Sequence, residues 1–306
     1  MKQIKISILF LTVGIFSLTS CLKDSRLNID TENGNTTNVV EFANTGNNVS
    51  GTASKYPRFN TDLGSIASGG SVKFNVNVSY SGAGTAPEDI TVNLVVDPAL
   101  LTTYNAQNGS AYVVPPSAIY SVPSSVVIKQ GTHQTQVQAT ITNNSSFDFS
   151  KSYALPLKIA SASKGVISGN FGSAVYSFGL RNIYDGVYQL RGRAFRNDPT
   201  SALQGPVGPV ERSLSTAGAT TLQWEGTVPW ANGGGSNLPG GYEPTITLDE
   251  TTKKVSLSSP GAVITADPTY DNRYDPATKT FYIQFYWGAG PGSRLHTDTL
   301  KYLRSR

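Results

Sequence analysis

The sequence predicts an all-β protein, a β-sandwich followed by a smaller antiparallel β-domain built as an open barrel or lipocalin-like sheet. Three observations carry this. Short runs alternate apolar and polar side chains with a period of two, and Gly, Pro and Asn turns punctuate them throughout. Only one stretch reads as a helix. The aromatic content also changes near residue 181, with Trp224, Trp230 and Trp287, the chain's three tryptophans, all lying beyond it. Period two sends successive side chains to opposite faces, and repeated short strands of this kind build sandwiches and barrels.

The chain opens on Met1–Cys21. Lys2 and Lys5 precede an almost unbroken apolar run, Ile6–Phe16, and Leu18-Thr19-Ser20-Cys21 closes it with small residues before a cysteine. This pattern predicts a secretory signal over residues 1–20. It resembles a lipoprotein signal, and the resemblance implies that Cys21 becomes the first mature residue and carries lipid. The apolar core falls short of the ~20 residues that a membrane span needs. Leu22–Asn38 is polar and lacks an apolar period, so residues 21–38 read as a flexible tether. Lys23 and Asp24 partly match the charged export signals of Bacteroidetes surface lipoproteins. That match implies a lipid-anchored address at the outer membrane, facing outward. Cys21 is the sole cysteine, so no disulfide supports the fold and stability must come from burial.

The formal net charge of +4 falls to +2 once Lys2 and Lys5 leave with the signal. The basic residues are scattered, which argues against nucleic-acid binding.

Strands read from Val39 onward. Val72, Phe74, Val76, Val78 and Tyr80 alternate with polar neighbours, and Ile90, Val92 and Leu94 follow the same pattern after the Gly82-Ala83-Gly84 turn. A helix is predicted next, with Asp97 as N-cap, Pro98 at its first position and Asn108-Gly109 closing it. Further strands are predicted at 126–129, 135–141, 153–159 and 174–180. The order Ala86-Pro87-Glu88-Asp89-Ile90, Val96-Asp97-Pro98-Ala99-Leu100, Pro115-Pro116, Tyr120-Ser121-Val122-Pro123, Val127-Ile128-Lys129-Gln130-Gly131 and Tyr153-Ala154-Leu155-Pro156-Leu157 strongly resembles the DUF1735 family. This is the BT_3987-like N-terminal domain of Bacteroidetes lipoproteins, and the resemblance spans residues 39–180. It implies an immunoglobulin-like sandwich and company with outer-membrane glycan-uptake systems, in which a TonB-dependent transporter and a SusD-like protein are the expected partners. It transfers no catalytic residues.

Arg181–Asp185 reads as the junction to a second domain, 181–306. Its strands are predicted at 186–195, 220–228, 245–249, 254–258, 262–265, 280–287 and 295–303.

Chemistry-bearing residues are few. His133 and His296 lie apart, each placed in a strand, and neither has a second ligand at metal spacing. His296 shares a strand face with Asp298 and reads as half-exposed. Gly288-Ala289-Gly290-Pro291-Gly292 lacks the following helix that a phosphate loop uses. Asp267, Asp271 and Asp275 are spaced by four, which fits no compact calcium loop. Glu225 and Glu243 are the second domain's aromatic-adjacent glutamates, and a glycosidase would need two carboxyl groups facing one sugar. No enzyme activity, cofactor or metal is therefore expected.

The aromatic residues give the better indication, because Trp and Tyr stack on sugar C–H faces while amides take the hydroxyls. Trp230 and Tyr242 end a glycine-rich loop, with Asn232 and Asn237 between them. These four form the candidate site for a polysaccharide or oligosaccharide. The competing reading makes Trp230 a loop anchor packed on its own core. The expected function is a non-catalytic, glycan-binding surface lipoprotein, and the alternative is a structural or adhesive one.

Overall fold

The computed structural model describes residues 38–43, 48–51, 54–288 and 293–306. The signal, Cys21 and residues 22–37 of the tether lie outside these, as does most of the 288–292 loop.

Ten strands occupy the first part: β1 (Val39–Phe42), β2 (Arg58–Ser65), β3 (Ser71–Ser81), β4 (Ile90–Val96), β5 (Tyr120–Ser121), β6 (Ser125–Ile128), β7 (Gln134–Thr142), β8 (Tyr153–Ala162), β9 (Val166–Ile167) and β10 (Ser173–Arg181). They form two five-stranded sheets, ordered β5-β7-β3-β1-β9 and β2-β10-β8-β4-β6. Alternation decides which faces meet. Phe74, Val76 and Val78 of β3 and Ile90, Val92 and Leu94 of β4 are buried together with Tyr176 and Phe178 of β10. Each sheet thus turns its apolar set inward, giving a sandwich.

The one helix among the described residues, α1 (Pro98–Asn108), forms where its punctuation predicts. The Asp97 carboxylate accepts the Ala99 amide at 3.1 Å, and Gly109 ends it in the left-handed region at φ 59°. Leu100, Leu101 and Tyr104 pack on Ala154 and Val175, on the outer face of the second sheet. The helix thereby covers part of that face.

The remaining strands are β11 (Gly186–Arg196), β12 (Gly205–Thr216), β13 (Thr221–Glu225), β14 (Val228–Pro229), β15 (Gly235–Ser236), β16 (Thr245–Leu248), β17 (Val255–Ser258), β18 (Ile264–Thr265), β19 (Arg273–Asp275), β20 (Thr280–Trp287) and β21 (Arg294–Arg304). Except for the β14–β15 hairpin, they form one antiparallel sheet whose neighbours follow chain order, with β21 returning to pair β11. The sheet curls until β17 meets β19 through the Lys254–Arg273 bridge. The Val255 and Tyr274 amides flank that bridge, donating to the Asn272 and Lys253 carbonyls at 3.0 and 2.9 Å. The result is a nearly closed up-and-down barrel filled by side chains, among them Trp224, Phe281, Phe285, Trp287 and Leu300.

Two local readings change. The strand expected over 220–228 breaks at Gly226, which takes φ 84° and turns the chain off the barrel. The long strand β12 was not expected at all, because Pro206 and Pro209 punctuate it.

The linker is bolted to the barrel. Asp185, almost fully buried, accepts the Thr216 amide and hydroxyl at 2.7 and 2.8 Å and the Arg306 guanidinium at 3.0 Å. The Asn182 amide reaches the carbonyls of Gly218 and Thr221 at 2.9 and 3.1 Å.

Candidate functional site

The predicted loop site is corrected by its own burial. Trp230 is only 5 % exposed. The 226–242 segment folds across the barrel mouth, and the indole enters it, 5.8 Å from the Trp287 ring and 4.9 Å from His296. Its Nε1 donates to Ser236 Oγ at 3.0 Å, and the Arg196 guanidinium lies over the ring at 5.4 Å. Trp230 is therefore the anchor, offering no face to a sugar. Lying between Pro229 and Gly233-Gly234-Gly235, it is enclosed by the end of a barrel and not by a long strand. The Asn232 side-chain oxygen accepts the Gly234 amide at 3.0 Å, and the Asn237 amide donates to the Gly241 carbonyl at 3.1 Å. Both shape turns. Of the four residues, only Tyr242 (45 % exposed) keeps an open ring.

His296 is corrected as well: far from half-exposed, it is fully buried with Asp298. Its Nδ1 stands 3.5 Å from Asp298 Oδ2. Burial pushes the Asp298 carboxyl above the ordinary carboxylate range, and His296 and Arg212 only partly oppose this. His133 sits in the turn before β7 rather than in a strand, exposed, with its carbonyl accepting the Tyr80 amide at 2.7 Å.

The acidic candidates have other duties. Asp267 caps its own turn through the Thr269 amide at 2.8 Å, Asp275 does the same with Ala277 at 2.9 Å, and Asp271 pairs with Lys254 and Arg273. Glu225 is bound to Arg306 at 2.7 Å. Among the described residues no three His, Cys, Asp or Glu side chains gather as metal ligands.

A cleft of about 520 Å³ lies instead on the sandwich, beside the part of the second sheet that α1 leaves open. Its origin is a mismatch in strand length. Strand β10 pairs with β8 only as far as Phe178 opposite Tyr153, so beyond that point it has no neighbour on that side. The 147–152 loop stands across the gap. Gly179 faces outward, and nothing lies within 4 Å of where its Cβ would stand.

Three aromatic side chains border the cleft: Tyr112, Phe147 and Phe149. Asn105, in the last turn of α1, fixes Tyr112 by donating to its carbonyl at 2.7 Å and accepting its amide at 3.1 Å. Phe147 and Phe149 lean on one another at 4.8 Å, and Phe147 on Tyr153 at 5.1 Å. The other bank is polar. Asn60 accepts from Ser177 Oγ at 3.0 Å, leaving its amide hydrogens free of that bond. Asp62 accepts Arg181 Nη2 at 2.8 Å, while Arg181 Nε is buried without a partner. Arg181 Nη1 donates to the Arg306 carbonyl at 2.9 Å, so the cleft's donors are those of Asn60, Lys151 and Ser152, which line it along with the aromatic rings. Sequence reading missed the site because its residues are dispersed from 60 to 181. The legible hint was the aromatic pair flanking Asp148, next to a strand start.

The comparisons with known proteins bear on the fold. A family model described as a "-like, N-terminal domain" matches residues 37–166. No curated protein matches the sequence. A Bacteroides ovatus protein of unknown function has a similar structure, with a TM-score of 0.57 at 13 % identity, covering 88 % of this chain and 95 % of its own. A multidomain protein including DUF1735, also from B. ovatus, aligns at a TM-score of 0.43 and 14 % identity, over 86 % of this chain and 92 % of its own. An auxiliary nutrient binding protein from Bacteroides thetaiotaomicron aligns at 0.42 and 14 %, over 80 % and 90 %. The family-model match, residues 37–166, falls on the sandwich, the stretch whose ordered motifs resemble the DUF1735 family.

Proposed function

We propose that the protein is a non-catalytic, glycan-binding lipoprotein of the outer-membrane surface, anchored through Cys21, and that a polysaccharide chain lies in the cleft beside β10. The observation that carries this is that Tyr112 and Phe149 line one open groove with the donors of Asn60 and Lys151. Aromatic faces stack on the apolar faces of sugar rings, and fixed polar groups orient the hydroxyls. An open-sided groove suits a polymer, which enters and leaves along its length. The lipid anchor follows from the Leu18–Cys21 signal, and a TonB-dependent transporter with its SusD-like partner would receive the captured chain.

Affinity electrophoresis against a panel of soluble host and plant polysaccharides tests this reading. At least one polysaccharide should retard the wild type, and Tyr112→Ala should abolish that retardation. Equal migration of wild type in every gel would refute it.

A further inference from the structure

Four polar atoms in the barrel have no hydrogen-bond partner although they are fully buried: Nδ1 and Nε2 of His296, and Oδ1 and Oδ2 of Asp298. Leaving one such atom unpaired destabilises the fold. Native cores hold few of them, and a cluster of four among aromatic rings calls for a reason. His296 lies nearly parallel to Trp287 and Phe285, at 5.5 and 5.8 Å. Trp230 covers this group from the barrel mouth.

The cover is held by side chains, with Val228, Trp230 and Leu238 joining the barrel core, and by few outward hydrogen bonds. Residues 226–242 pair only with themselves, in the β14–β15 hairpin and the Leu238–Tyr242 bridge. Two hydrogen bonds among the described residues tie the segment to other parts of the barrel: the Ala231 amide to the Leu203 carbonyl at 3.2 Å, and Arg212 Nε to the Thr227 carbonyl at 3.1 Å. Gly226, Gly233 and Gly240 take positive φ within it or at its start. A segment with its own hairpin, few outward bonds and permissive glycines can open as a unit. A cleft of about 420 Å³ already runs along its seam, with Pro206–Val210 on one bank, Gly233–Gly235 on the other and Trp230 at its base.

We propose that the 226–242 segment is a hinged cover, and that the space beneath Trp230 is a binding chamber for one small neutral sugar of mono- or disaccharide size. On opening, the indole withdraws and leaves Trp287 and Phe285 as stacking planes beside His296 and Asp298. The imidazole nitrogens and a carboxyl whose protonated form burial favours offer both donors and acceptors. Vicinal hydroxyls, each both donor and acceptor, match that set. An anion would lie against the Asp298 oxygens, and a metal ion would find too few ligands. The chamber is separate from the groove beside β10, so either site can fail without the other.

The test uses the full chain and modifies histidine with diethyl pyrocarbonate, read site by site by mass spectrometry. Exposed His133 serves as the internal control. His296 should react slowly in the wild type and at least tenfold faster in Trp230→Ala, or in Trp230→Phe if the alanine variant does not fold. D-glucose, D-galactose, D-mannose and N-acetylglucosamine are then added singly at high millimolar concentration. At least one should slow modification of His296 and leave His133 unchanged, and His296→Phe should lose calorimetric binding of that sugar. Reaction of His296 only at the rate of global unfolding, in wild type and Trp230 variants alike, overturns the hinge. Failure of all four sugars to protect it overturns the chamber.

Discussion

At the scale of single residues, burial decides role. Trp230 packs against Trp287 and His296, so Trp230→Ala removes a large core side chain and should cost about 3–5 kcal/mol. Thermal melting would register this as a loss of many degrees, and an unchanged midpoint would show the ring to be dispensable. The sequence made Trp230 visible as an aromatic outside any strand, but it could not reveal what a barrel mouth encloses. His296 and Asp298 failed in the same way: alternation assigned them one face, and only closure of the sheet shows that face to be interior.

Asp298 also makes a prediction about pH. Its carboxyl is raised above the ordinary value of 3.8 by burial, so the folded state holds the proton more tightly than the unfolded one. Stability contributed this way is complete below pH 3.8 and is lost as pH rises toward the folded-state value. Asp298→Asn cannot ionise and escapes the loss. Melted at pH 4.5 and at pH 7.5, the variant should gain on the wild type by a few degrees at the higher pH. A constant difference between the two would contradict the raised carboxyl.

At the scale of elements, local punctuation was readable wherever it acts alone. Asp97, Pro98 and Gly109 mark α1 within a residue of its observed ends. Asp97→Ala should cost about 1 kcal/mol through the lost cap, measurable as a small drop in the urea midpoint with unchanged slope. No change would mean that packing of Leu100 and Tyr104 holds the helix unaided. Strand β12 was hidden because Pro206 and Pro209 argue against a strand. The structure tolerates them because β13 pairs only with Ser213–Thr216, leaving the first half of β12 as an edge, and the register with β11 shifts between Leu190 and Gly192. Gly226 similarly broke a run that alternation alone would have continued.

At the scale of the whole molecule, the sandwich core and the barrel core share no residue: one draws on Val40 to Leu180, the other on Tyr184 to Leu300. A fragment of residues 38–181 should therefore fold as a β-rich unit, with a cooperative melt and resistance to limited proteolysis. A fragment that is unfolded by circular dichroism would show that the Asn182–Asp185 network is needed for the sandwich as well. The order of motifs from Ala86 to Leu157 disclosed the first domain's family, because it reflects one continuous sandwich. The groove beside β10 was not legible: it arises where β8 stops short, and strand ends are what sequence patterns define least.

The central claim is that this groove binds a glycan through its aromatic bank. Titration calorimetry with an oligosaccharide cut from the best-retarding polysaccharide tests it most directly, comparing wild type with the Tyr112→Ala/Phe149→Ala double variant. Saturable binding by the wild type and at least a tenfold weaker constant in the variant, about 1.4 kcal/mol, is expected, with cooperative folding retained in both. Equal affinity in the two proteins would contradict the claim.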